Sequence, residues 1–148
     1  MADLIFNDRF MVTDAGGMAV RLINKTGSAS VKGTLVKAGT VDGSFIVTLA
    51  DEAMPCGVVY QAGVADGSAC WVVIQGIAEV LLEDGTTSTA GYWCRTSTTA
   101  TGRGTMNTAA PPGGGITELD RHEREIGHCI ETKGSGTNVI AKCIMHFN

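Results

Sequence analysis

His128-Cys129 and Cys143-Ile144-Met145-His146 place four metal-binding side chains near the end of the sequence. Zinc sites use such pairs when a turn lets both ligands face one ion. Here the flanking residues read as strands, on which neighbours diverge and residues three apart point to opposite faces. His128 therefore separates from Cys129, and Cys143 separates from His146 unless a bulge intervenes. Across a hairpin one Cys and one His can still meet, but two ligands do not close a site. The expectation is no metal and no cofactor, with Cys129 and Cys143 acting as small core residues.

Nucleophilic chemistry fares no better. Cys94, His122 and Asp120 supply a thiol, a base and an orienting carboxylate, yet no nucleophile elbow or helix N-terminus stands behind the cysteine. Glu118, Asp120, His122, Glu123 and Glu125 read as a solvated face of mixed charge. No pair of carboxylates is singled out for glycoside hydrolysis. Gly27-Ser28-Ala29-Ser30-Val31-Lys32-Gly33 lacks the Gly-Lys-Ser/Thr ending of a phosphate loop, and a strand follows it. Gly134-Ser135-Gly136-Thr137 lies between two strands, so both glycine segments read as turns. Tyr60, Trp71, Tyr92 and Trp93 are not interleaved with basic residues as a platform for single-stranded nucleic acid requires. The expected protein is not an enzyme.

Composition says what must position these residues. The 148 residues are enough for one core and too few for two ordinary domains. Twenty glycines disfavour a helical bundle, while 44% hydrophobic and 18% charged residues disfavour disorder. A small all-β domain with many tight turns fits best. The net charge of −4 gives no basic footprint for nucleic acid. No apolar run approaches the roughly 20 residues that span a bilayer, so no membrane partner is expected. The opening Met-Ala-Asp-Leu-Ile-Phe has no basic region of the kind that starts a secretory signal. The sequon Asn24-Lys25-Thr26 consequently carries no weight. Five widely spaced cysteines in apolar stretches suit reduced, buried thiols in a cytosolic setting rather than a disulfide framework.

Along the chain, residues 1–19 read as an N-terminal arm. Leu4, Ile5, Phe6, Phe10 and Met11 are apolar, and Asp14-Ala15-Gly16-Gly17 follows as a flexible break. Such an arm packs on its own domain or on a partner chain. Residues 20–148 read as a β-barrel or sandwich-like domain. Its short strands fall at Val20–Lys25, Val31–Lys37, Phe45–Ala50, Cys56–Tyr60 and Tyr92–Arg95. The longest strand is Cys70–Glu83, where even positions Val72, Ile74, Gly76, Ala78, Val80 and Leu82 are apolar or glycine. That alternation puts one face in a core, and Gly76 marks a bend or bulge. Residues 96–116, rich in Thr, Ala, Gly and Pro, read as a long loop, with a helical turn from Thr117 to about Arg124. Glu125–Thr132 and Asn138–Asn148 then form a hairpin.

Val20-Arg21-Leu22-Ile23-Asn24-Lys25-Thr26-Gly27 followed by Val31-Lys32-Gly33-Thr34-Leu35-Val36 resembles the opening of small head decoration (cement) proteins of tailed bacteriophages. The likeness continues through Gly57–Tyr60, Ala65–Val73, Gly76–Val80, Glu125–Glu131 and Ala141–Ile144, and so covers most of the chain from Val20 onward. These are strand-and-turn patterns without a catalytic signature. The resemblance implies a β-barrel-like fold, a homo-oligomer (often a trimer), and docking on the capsid exterior against the major capsid protein. It also implies synthesis in the host cytoplasm, no enzymatic activity and no cofactor. Under it, Leu4, Ile5, Phe6, Phe10 and Met11 become the candidate contacts to the capsid or a neighbouring protomer. Two rivals stay open: a head fibre that binds a receptor or glycan through exposed Trp or Tyr, and a small hydrolase built on Cys94 or His122.

Overall fold

Among the described residues eleven strands form one sheet that partly closes on itself. The structure is a computed structural model that describes residues 2–107 and 124–146. The helical turn expected at Thr117–Arg124, with Glu118, Asp120, His122 and Glu123, lies almost wholly outside the described residues. So does the Pro-Gly-rich part of the long loop.

The strands are β1 (Leu4–Ile5), β2 (Phe10–Val12), β3 (Gly17–Asn24), β4 (Leu35–Ala38), β5 (Ser44–Val47) and β6 (Gly57–Val59). They continue as β7 (Ala69–Leu81), β8 (Trp93–Thr96), β9 (Gly104–Asn107), β10 (Glu125–Cys129) and β11 (Ile140–Met145). The order β3-β5-β4-β6-β7, with β3 also pairing β7, closes a five-stranded ring. Strands β2 and β1 extend the sheet beyond β3, and β11, β10, β8 and β9 extend it beyond β7. Only the β3–β5 pairing is parallel among the named strand pairs.

Two apolar clusters explain why the ring strands read as nearly continuous hydrophobic runs. Leu22, Val36, Phe45, Val59, Cys70 and Val72 form one cluster with a member from every ring strand, so it fills the barrel. Leu35, Val58 and Val73, the sequence neighbours of Val36, Val59 and Val72, belong to a second cluster. There they join Val80 from the far half of β7 and Ile126, Cys143 and Met145 from the lateral extension. A strand buried on both faces loses its polar alternation.

The expectation that even positions of β7 share one face needs correction. Met18 pairs with Gln75 but Ala19 pairs with Val73, so Ile74 is an extra residue in β7. One inserted residue moves every later side chain to the other face. Val72 therefore faces the barrel, whereas Ala78, Val80 and Leu82 join Val73 in the outer cluster. Gly76 sits just beyond this bulge at φ +80°, and a Cβ there would lie 2.6 Å from the Gly16 carbonyl oxygen. The bend expected at Gly76 is present and requires glycine.

Two other boundaries differ. The strand expected from Val31 begins only at Leu35, because Gly33 takes φ +84° in a turn and leaves Val31 exposed. Part of the segment expected as a loop is a hairpin strand, with β9 pairing β8 from Trp93↔Asn107 to Thr96↔Gly104. Glycine at position 104 permits this, since a Cβ there would meet a Val80 methyl at 2.8 Å.

Candidate functional site

Glu125, His128 and His146 converge where β10 and β11 meet. In a regular strand Glu125 and His128 point to opposite faces. Between them β10 shifts register against β8, with Glu125 opposite Arg95 but Gly127 opposite Cys94. That bulge returns both side chains to the same face. Gly127 makes it possible, with φ +149° and a backbone so close to β11 that a Cβ would lie 2.0 Å from the Ile144 carbonyl oxygen. The His146 backbone N–H donates to the Ile126 carbonyl at 3.1 Å and ties down the end of β11.

The His146 Nε2 atom lies 3.0 Å from Glu125 Oε1 and 3.0 Å from His128 Nδ1. All three ligand atoms fall within 4.8 Å of one another. Glu125 is only 4% exposed, whereas the His146 side chain is 43% exposed, so the cluster is rooted in protein and opens to solvent. Trp93 packs on the His128 ring with centroids 4.4 Å apart. Glu125 thus does not belong to a solvated face, as its acidic neighbours in sequence had implied. Its signal was a glycine two residues on, inside an apolar strand run, the same signal that marks Gly76.

Four of the five thiols are buried as expected, and Cys56 is only half-buried. Among the described residues all five cysteines are free, and Cys70, Cys94, Cys129 and Cys143 are buried. Cys129 and Cys143 face each other across the β10–β11 ladder in the outer core, away from His128 and His146. The neighbouring Cys143 thiol and burial hold the Cys129 thiol well above its ordinary value. Cys94 is fully buried beside them, with no solvent access for a nucleophile.

Of residues 1–19, expected as an arm, the described part up to Gly16 forms a hairpin on the sheet edge, and Gly17 already opens β3. β1 pairs β2, and β2 pairs β3 from Phe10↔Val20 to Val12↔Met18. The Tyr60 hydroxyl fastens the ribbon by hydrogen bonds to Asp3 at 2.8 Å and Asp14 at 3.3 Å. Burial, and then the two carboxylates, push the Tyr60 phenol up, so it remains a donor. The five candidate contact residues divide. Met11 is buried in the outer core and Phe10 is half-buried, its ring tilted against Phe6 with centroids 5.4 Å apart. Leu4, Ile5 and Phe6 are 57%, 62% and 58% exposed and form an outward apolar ribbon.

A cleft of about 590 Å³ opens on the barrel wall beside the β7 bulge, lined by Lys37, Ile46, Glu52, Met54, Cys56 and Ile74. Lys37 and Glu52 form an ion pair at its rim. The Lys37 hydrogen bond holds the Glu52 carboxyl below its usual range. A depressed carboxyl pKa contributes stability above the unfolded-state value, and that contribution disappears as pH falls through the folded-state value. Glu52→Gln is expected to lower stability at pH 7 by about 1 kcal/mol. In denaturant titrations across pH the difference from the parent should begin to shrink as pH falls below about 4.3 and vanish only once the lower folded-state value is passed.

The chain is thus an all-β protein built on a closed five-stranded barrel with a lateral sheet extension. Among solved structures it is similar to the N base of head fiber gp8.5 in bacteriophage phi29, with a TM-score of 0.55 and 14% identity. The match covers 86% of this chain and 92% of that one. No family model matches the sequence, and no curated protein matches it.

Proposed function

We propose that this chain is a structural protein of a bacteriophage head that docks on the capsid exterior as a homo-oligomer and stabilises the shell. Three features support the reading. The fold is similar to a head fiber base. The strand-and-turn sequence resembles head decoration proteins. The observation that carries it is the apolar ribbon Leu4-Ile5-Phe6, held outward on a hairpin anchored through Tyr60 and Met11. Exposed contiguous apolar surface of this kind serves contact with another protein. Subunits that span capsomer boundaries resist their separation, and a trimer gains avidity by engaging three sites together. No catalytic role is proposed, and neither nucleic acid nor membrane is a proposed partner.

The test is co-sedimentation with capsids assembled from the major capsid protein of the same virus. Deleting residues 1–19 would also remove β2 and the buried Met11, so a surface variant is cleaner. Leu4→Ser, Ile5→Ser and Phe6→Ser combined should leave the barrel folded and reduce retention by about tenfold or more. Unchanged retention would remove the ribbon from the interface. Failure of the parent protein to co-sediment would overturn the docking reading.

A second reading, a head-fibre base, is favoured by the fold likeness alone. In it the chain is the attachment module for a receptor- or glycan-binding element. Trp71 lies beneath the Arg21 guanidinium at 5.9 Å, and the Trp93 ring packs against His128 at a 47° tilt, so each indole already has a partner. Labelling the protein on whole particles separates the two readings, since a decoration protein covers the head uniformly whereas a fibre base occupies only the points where fibres attach.

A further inference from the structure

We propose that Glu125, His128 and His146 form a binding site for a divalent first-row transition ion, zinc being the representative case. Two imidazoles and a carboxylate, each offering one lone-pair atom, are the donor set that borderline ions such as Zn²⁺, Co²⁺ and Ni²⁺ prefer. Zinc bonds to nitrogen and oxygen are about 2.0–2.2 Å long, so ligand atoms on one ion sit roughly 3–4.4 Å apart. Two of the separations here are 3.0 Å, and the third lies within 4.8 Å. Side-chain shifts of a few tenths of an ångström would bring all three onto one ion.

The backbone has already set that geometry. The Gly127 bulge aligns Glu125 with His128. The β10–β11 ladder, with His128 opposite Ile144, carries His146 to the same end. Packing of Trp93 on His128 restrains one imidazole, and burial restrains the Glu125 carboxylate. Ligands on a rigid scaffold lose little entropy when an ion arrives. The buried thiols of Cys129 and Cys143 face the core, so the accessible set is nitrogen and oxygen rather than sulfur. Three protein ligands leave a coordination position open toward solvent on the His146 side, where water or a group from another molecule completes the shell. Binding displaces any proton on the two imidazole nitrogens that take the ion. The site does not depend on what the chain docks against.

Titration calorimetry of the chelator-stripped full chain with Zn²⁺ tests the proposal. Saturable binding of one ion per chain is expected, weakened by about tenfold or more in His128→Ala and in His146→Ala. The chain has three histidines, and His122→Ala should leave binding unchanged. Absence of saturable binding would overturn the proposal. So would binding that survives both site substitutions and is lost with His122→Ala. Should the variants fold poorly, histidine side-chain nitrogen resonances of the unmodified protein decide. Zn²⁺ should shift those of His128 and His146, and shifts confined to His122 would refute the site.

Discussion

Gly127→Ala is expected to destabilise the protein by about 3–5 kcal/mol and to break the β10–β11 hairpin register. The added Cβ would fall 2.0 Å from the Ile144 carbonyl oxygen, 2.9 Å from its carbon and 3.0 Å from the Met145 Cα. These are backbone atoms, so no rotamer change relieves the overlap. Either the φ of +149° is abandoned or β11 moves away. The first outcome removes the bulge and turns Glu125 to the opposite face from His128. The second opens the outer core at Ile126, Cys143 and Met145. Denaturant unfolding measures the loss, and amide exchange along β10 and β11 locates it. Gly134→Ala is the control, because a Cβ there meets nothing within 4 Å and the change should cost well under 1 kcal/mol. Equal effects from the two glycines would contradict the account of the bulge.

Phe45→Ala should cost about 3–5 kcal/mol through loss of the largest side chain inside the barrel. Phe45 is fully buried and shares its cluster with Leu22, Val36, Val59, Cys70 and Val72, one or more residues from each other ring strand. A closed ring cannot collapse onto the vacancy without breaking ladders, so most of the cavity should persist. For a chain of this size the loss corresponds to a fall in Tm of roughly 10 °C. Leu49→Ala, at a site 61% exposed, should change stability by no more than about 0.5 kcal/mol. A small effect at Phe45 would mean that the ring is not the cooperative unit of the fold.

The strands were legible wherever their burial was regular. Val20–Lys25, Cys56–Tyr60 and the C-terminal hairpin stand close to where alternation and turn residues put them. Gly76 was recognisable because a glycine inside a long apolar strand needs a reason, and φ +80° supplies it. The face of each β7 residue was not legible. Ile74 as an inserted residue shows only in pairing with β3, which is distant in sequence. β9 escaped notice because Gly104-Thr105-Met106-Asn107 has no apolar alternation and owes its place to β8. Of the five apolar residues in the first segment, composition could not separate Met11, which is buried, from Leu4, Ile5 and Phe6, which are not.

The metal-capable cluster shows the same division most sharply. Local residue types determined an all-β domain, buried cysteines, and the divergence of His128 from Cys129 and of Cys143 from His146, since side-chain direction along a strand is a local property. Tertiary structure alone decided that Glu125, His128 and His146 meet. Their meeting needs a bulge at Gly127 and a register between two strands, and register is set by long-range burial rather than by any short run of residues.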